Sequence, residues 1–374
     1  MYVISQTVYD DFSLPLFREL VGNNESYYMW SCPPITMDRF FQSTTCKSSL
    51  IFIGVKDHLE TWKEFNWWQD RQQIGSISVQ GFARRHADAQ IVLFTSMENL
   101  QLELNEPNLH IIPWGGYLID QRTEYSVLEP VLDKNFLSQK TYISLNRHVR
   151  SHRLVTLSYL YGQGYDSTGI ITYLKNPNGM PEVFLEVVGW EFGPEHDAIR
   201  TSILQGFDRL KLDLTVSTDD YEIYNQHGHN NNASNFDLRL RNMYRDSFVE
   251  IVNETVFSSP AFMFTEKTAH AFYGCNFPII LTGCGAIEHL RSIGLDMFDD
   301  VIDHGYDVIQ NPFDRIVTAI ESNRRLLTDT EYAKQSWKRC RPRFERNVEV
   351  MRGIYSWYET RTRQQFAKTL ELIS

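Results

Sequence analysis

The chain has no run of about 18 or more apolar residues, the length a helix needs to cross a bilayer, so no membrane span is expected. It has no C-x-x-C pair either. Its five cysteines, Cys32, Cys46, Cys275, Cys284 and Cys340, are odd in number and scattered. A disulfide framework and a zinc knuckle are therefore both unexpected, and reduced thiols in a cytoplasmic setting are the natural reading. The opening MYVISQTVYDDF lacks a basic stretch and a long apolar stretch, so it reads as a first strand and not as a secretory signal. Positive charge is also in short supply. A net charge of −11 argues against a protein that binds nucleic acid by electrostatics alone.

What is present is enough apolar material, 42% of 374 residues, for two domains of ordinary size. Short β-branched or aromatic runs alternate with longer amphipathic ones, the pattern of an α/β protein with mainly parallel sheets. Strands are expected at 2–5, 50–55, 90–94 and 110–112, with helices at 14–21 and 59–72. After a connection at 120–139, a second series of strands is expected at 141–145, 169–174, 221–223, 261–264 and 277–281. The tail is helical in composition, with Pro342 expected to break it. Three parts follow: an N-terminal α/β domain at 1–125, a second at 140–330, and a helical tail at 331–374. The polar stretch 225–235 reads as a loop, and its His227 and His229 lack a third ligand nearby for a metal.

Charge is uneven along the chain. From Arg315 onward Lys and Arg exceed Asp and Glu by six, so the preceding residues carry −17. The densest basic run is Lys338-Arg339-Cys340-Arg341-Pro342-Arg343. It is either a solvated helix face or a surface that meets an anion.

Three places can carry chemistry. The first is Asn146-Arg147-His148-Val149-Arg150-Ser151-His152-Arg153, which lies where a strand feeds a helix N-terminus. Open α/β sheets bind ligands there, and unpaired N–H groups favour anions. Arg147, Arg150 and Arg153 either pair with the chain's surplus carboxylates or hold a diphosphate through charge-assisted bonds of roughly 1.5–3 kcal/mol each. The second is Thr265-Glu266-Lys267-Thr268 at a helix start. Here the carboxylate either caps the helix or accepts ribose hydroxyls, and the ammonium is a point charge for phosphate. The third is the turn Thr282-Gly283-Cys284-Gly285 between an apolar strand and the next helix.

In order, N-E-T at 253–255, F-x-F-T-E-K-T at 262–268 and F-P-I-I-L-T-G at 277–283 resemble the donor-binding region of the alpha-1,3-fucosyltransferase family. Continued through Gly285, Leu290-Arg291, Gly294, Phe298, Asp303, Tyr306-Asp307, Pro312 and Arg315, the stretch also resembles bacteriophage-encoded glycosyltransferase-like proteins. L-N-R-x-x-R-x-H-R at 145–153 fits the same pattern. The likeness covers roughly 141–320 and departs in the triplet, which is Glu-Asn-Ser in the family.

The resemblance implies a GT-B architecture: two Rossmann-like domains whose parallel sheets face a cleft, with the donor site in the second. It implies a hexosyl- or pentosyltransferase that takes a nucleoside-diphosphate sugar as co-substrate, with no resident cofactor. The acceptor would be a hydroxyl on a glycan or on a hydroxymethylated base in phage DNA, and the location the host cytoplasm if the chain is phage-encoded. The donor-binding set is then Asn146, Arg147, Arg150, Arg153, Asn253, Thr265, Glu266, Lys267, Thr268, Gly283 and Gly285.

No D-x-D occurs, since Asp219-Asp220 and Asp299-Asp300 are adjacent pairs, so metal-independent, inverting transfer is expected. Inversion needs a general base in the first domain. Asp10, Asp57 and His58 follow strands there and are the candidates. Trp67-Trp68 and Trp114-Gly115-Gly116-Tyr117 can stack on a sugar or fill a core. The rival readings are a nucleotide-sugar- or glycan-binding protein without turnover and a nucleotide-binding scaffold.

Overall fold

A computed structural model describes residues 2–6, 26–29, 50–55, 76–102, 104–115, 128–146, 151–173, 196–212, 240–257 and 261–373. The chain forms two compact units and passes between them four times. Unit 1 comprises Met1–Arg122, Ser258–Thr265 and Gly353–Ser374, and unit 2 comprises Thr123–Phe257 and Glu266–Arg352.

In unit 1, strands β1 (Tyr2–Gln6), β2 (Ser26–Met29), β3 (Leu50–Val55), β4 (Gln90–Thr95) and β5 (Leu109–Pro113) form one parallel sheet in the order β2-β1-β3-β4-β5. Helix α1 (Ser76–Arg85) precedes β4. In unit 2, β6 (Tyr142–Asn146), β7 (Gly169–Tyr173), β8 (Val249–Asn253) and β9 (Phe277–Leu281) are likewise parallel, in the order β7-β6-β8-β9. Both sheets share one doubly wound plan. The chain leaves the first strand to one side, then returns to pair on the other, which creates a crossover point beside that strand. Every residue of β8 and β9 is buried, as in parallel strands covered on both faces.

The helices of unit 2 are α2 (Ser151–Gly162), α3 (Asp197–Leu212), α4 (Arg241–Arg245), α5 (Glu266–Tyr273), α6 (Ala286–Ile293), α7 (Pro312–Ser322), α8 (Arg324–Thr328) and α9 (Thr330–Arg352). Helix α9 runs through Pro342, where the sequence predicts a break. Buried Trp337, Cys340, Phe344 and Val348 line the helix on both sides of the proline, and Phe344 packs on Phe298 at 4.5 Å and Phe277 at 5.0 Å. That burial offsets the roughly 3 kcal/mol that an interior proline removes. The interruption falls instead at Gly353, after which α10 (Ile354–Ile373) packs in unit 1.

There, Phe366 joins Val92, Phe94, Ile112 and Trp114 in one core cluster, which puts Trp114 in the core of its unit. Arg361 pairs in two-pronged fashion with the buried Glu98, at 2.7 and 2.8 Å. The expected strand at 261–264 is a single antiparallel bridge between Phe262 and Glu98, and the central strand β8 stands where none was expected. Glu250 interrupts the apolar run of β8, whereas Ala-Phe-Met-Phe at 261–264 looks more strand-like to a pattern reading. The expected helices at 14–21 and 59–72 and the expected strand at 221–223 lie outside the described residues. Among the described residues, no helix is long and apolar enough to cross a membrane.

Candidate functional site

The described residues that the sequence reading expects at a donor site lie at or near the carboxyl edge of the unit 2 sheet. The crossover lies between β6 and β8, whose last residues are Asn146 and Asn253. These two side chains bond to each other, with Asn253 Nδ2 donating to Asn146 Oδ1 at 3.1 Å. Asn146 Nδ2 donates to Ser144 Oγ at 3.1 Å, and Thr156 Oγ1 donates to Asn253 Oδ1 at 3.1 Å. Arg153, from the first turn of α2, directs Nη2 toward the Asn253 carbonyl at 3.4 Å. All are buried, at 2% exposure or less for Asn146, Arg153, Asn253 and Thr156. Amides that satisfy one another fix two strand ends in register. They make a floor and not a set of open donors.

Above that floor lies the start of α5. Glu254 follows β8 directly and is fully buried. Its Oε1 accepts from Thr268 Oγ1 at 2.6 Å and its Oε2 from the Thr255 N–H at 3.3 Å. Lys267 Nζ stands 3.9 Å from Glu254 Oε2 and donates to Glu266 Oε1 at 3.1 Å. Lys267 and Glu266 are the accessible members, their side chains 18% and 28% exposed. Burial alone would raise the Glu266 carboxyl, but Lys267, His270 and hydrogen bonds outweigh it and draw it down to about 2. Glu266 is therefore ionised across the physiological range. Thr265 is buried immediately before α5, and Thr268 is buried within its first turn. From α2, His152 Nε2–H donates to the Glu254 carbonyl at 2.9 Å while its ring stacks on Phe257 at 4.9 Å.

The glycine turn after β9 is built differently. Gly285 is left-handed at φ 83° and stands at the N-cap of α6, as the residue without a Cβ can do freely. Gly283 is buried two residues before it. The start of α6 faces an internal carboxylate, with Asp307 Oδ2 accepting from Ile287 N–H at 3.2 Å, while Gly285 N–H donates to the main-chain carbonyl of Asp307 at 3.2 Å. Asp307 thus supplies the anion that a helix N-terminus favours. Burial raises its carboxyl to about 6 against the pull of those N–H groups and Arg315.

Arg315 donates to the carbonyls of Phe257, Thr282, Ile309 and Gln310, so it ties the loops behind the sheet edge together. The structure therefore brings together Asn146, Arg153 and Asn253 as a floor, and Glu266, Lys267 and Thr268 around Glu254. It sets Gly283 and Gly285 on a turn that already holds a carboxylate.

Arg147 and Arg150 lie outside the described residues, as do Asp10, Asp57, His58, Trp67, Trp68, Gly116, Tyr117, Asp219, Asp220, His227 and His229. The other acidic pair is engaged by arginines: Asp299 by Arg291 at 2.5 Å, and Asp300 by Arg343 at 2.6 Å. Among the described residues, no group of three or more His, Cys, Asp or Glu side chains converges as a metal site would need.

Glu254 and Asp307 stand in the quoted motifs, but neither has a role in the sequence reading, and both prove to be buried acids at this sheet edge. Each is remote in sequence from the helix start it bonds to, Glu254 preceding α5 and Asp307 following α6. Of the N-E-T triplet only Asn253 is expected at the site, and the structure places Glu254 beside it. No protein-family model matches the chain, and no curated protein matches it closely enough to count as a relative.

Proposed function

We propose that this protein is a GT-B glycosyltransferase that moves a sugar from a nucleoside-diphosphate donor to a hydroxyl acceptor, with inversion and without a catalytic metal. The observation that carries the reading is the accessible Glu266–Lys267 pair. It sits at the carboxyl edge of a parallel sheet, beside the crossover of β6 and β8, where doubly wound folds take their ligands. Lys267 offers a point charge for a diphosphate and Glu266 an acceptor for the two ribose hydroxyls.

Transfer breaks the bond from the anomeric carbon to the diphosphate oxygen and forms one to the acceptor oxygen. Negative charge grows on the departing diphosphate, and a preplaced ammonium there lowers the barrier. The acceptor proton passes to a base. Asp10, Asp57 and His58 remain the candidates, because they follow β1 and β3 in the sequence and those strands flank the crossover of unit 1. The acceptor is a glycan or a hydroxymethylated base in phage DNA.

Calorimetry with UDP- and GDP-sugars tests the reading. Binding of one of them is expected, with Lys267→Ala weakening it and abolishing donor hydrolysis while the circular dichroism spectrum stays unchanged. Absence of binding by every nucleotide sugar overturns the assignment, and hydrolysis unaffected by Lys267→Ala places the donor elsewhere. Binding without turnover in the wild type would favour a sugar-nucleotide-binding protein.

A further inference from the structure

Among the described residues, two carboxylates and the Thr255 hydroxyl surround the Lys267 ammonium, an odd arrangement for a place that is to receive a diphosphate. Neighbouring residues on a helix project about 100° apart and do not ordinarily meet. The 3.1 Å contact between Glu266 Oε1 and Lys267 Nζ thus requires both side chains to lean together. The two acids are not equivalent. Glu254 is fully buried and pinned by the Thr268 hydroxyl and the Thr255 N–H, so it stays where it is. Glu266 is part-exposed at the mouth of the cluster, and Lys267, with His270 and the Glu266 backbone N–H, draws its carboxylate inward. An anion arriving at Lys267 therefore meets a carboxylate already in place.

We propose that Glu266 is an internal competitor for Lys267, released only by a ligand that offers it paired hydroxyls while offering Lys267 a phosphate. Glu254 holds Lys267 during the exchange, so the ammonium keeps its position when Glu266 leaves. The device selects nucleoside diphosphates and turns away inorganic phosphate and pyrophosphate. Specificity of this kind comes from the repulsive element as much as from the attractive one. The ribose half rests on the donor reading above; the anion half rests on the contacts around Lys267 alone.

Calorimetry separates the two halves, using inorganic pyrophosphate, GDP and UDP on the wild type, Glu266→Gln, and the double variant Glu266→Gln/Lys267→Ala. Glutamine keeps the shape of residue 266 and removes its charge, and melting curves check that each variant is folded. In Glu266→Gln, pyrophosphate should bind about tenfold tighter or more, and the better nucleotide about tenfold weaker. The gain for pyrophosphate should vanish in the double variant. Equal pyrophosphate affinity in the wild type and Glu266→Gln overturns the proposal, as does a gain that persists without Lys267. If neither nucleotide binds the wild type, the donor reading and the ribose half fall together, and the pyrophosphate arm still decides the competition.

Discussion

Glu250 carries an ionisable group into the middle of a sheet. It is 2% exposed in β8; its Oε1 accepts from Tyr244 Oη at 3.0 Å, and its Oε2 has no hydrogen-bond partner among the described residues. Burial raises its carboxyl to about 8. The folded protein thus keeps a proton that the unfolded chain sheds from about pH 4.5 upward. Stability is greatest below that value and falls as pH rises toward about 8, by about 1.4 kcal/mol per pH unit in the steep part. Lys134 opposes this only at higher pH. Burial lowers it to about 7, so its contribution runs the other way, with stability rising between about 7 and 10.5.

Melting temperature should therefore fall between about pH 5 and pH 6.5 in the wild type, and Glu250→Gln should flatten that slope. Parallel slopes for the two proteins would refute the assignment. At this scale the sequence was half legible. Glu266-Lys267 stood out because an acid and a base opened a helix, whereas Glu254 and Asp307 did not, because their roles depend on which helix start each one faces.

Elements were read best where apolar runs were long and unbroken. β1, β3, β4, β5, β6, β7 and β9 each overlap an expected strand. β8 was missed because a buried glutamate imitates an exposed residue. The helix through Pro342 was misjudged because propensity is local and the burial that overrides it is tertiary.

Helix α10 offers the cleanest test at this scale. It packs beside β5, where Gly115 has φ +67° and its missing Cβ would lie 2.5 Å from the Tyr358 ring. Gly115→Ala meets both the left-handed backbone and the ring, so a loss of about 2–4 kcal/mol is expected, read by denaturant titration. A loss under about 1 kcal/mol would mean that α10 can shift without weakening the unit. Tyr358→Ala opens a cavity of its own, so the double variant should lose less than the sum of the two single losses, since the clash is gone and only the backbone strain remains.

For the whole molecule, the two sheets repeat one strand plan, and the alternation of short apolar and longer amphipathic runs announced both. Charge is where the whole qualifies its parts. The basic run at 338–343 looked like an anion surface, yet Arg343 pairs with Asp296 and Asp300, each at 2.6 Å. Arg341 reaches Glu345 at 3.3 Å, Arg339 lies 3.6 Å from Asp300, and Lys338 lies 4.4 Å from the Phe136 ring centre. The run thus fastens α9 to the segment after α6, and Arg343→Ala should lower stability by about 1–2 kcal/mol without changing any affinity for nucleic acid.

The net −17 of the residues before Arg315 works against polyanion binding, and the basic run beyond them is compensated. Duplex DNA should then bind weakly at about 150 mM salt, with log affinity falling against log salt at a slope no steeper than about −2, the mark of few phosphate contacts. That outcome ranks an uncharged glycan hydroxyl above a base in DNA as the acceptor. A slope of about −4 or steeper, retained in Arg343→Ala, would reverse the ranking and locate a phosphate-tracking surface that the pairing at 338–343 does not provide.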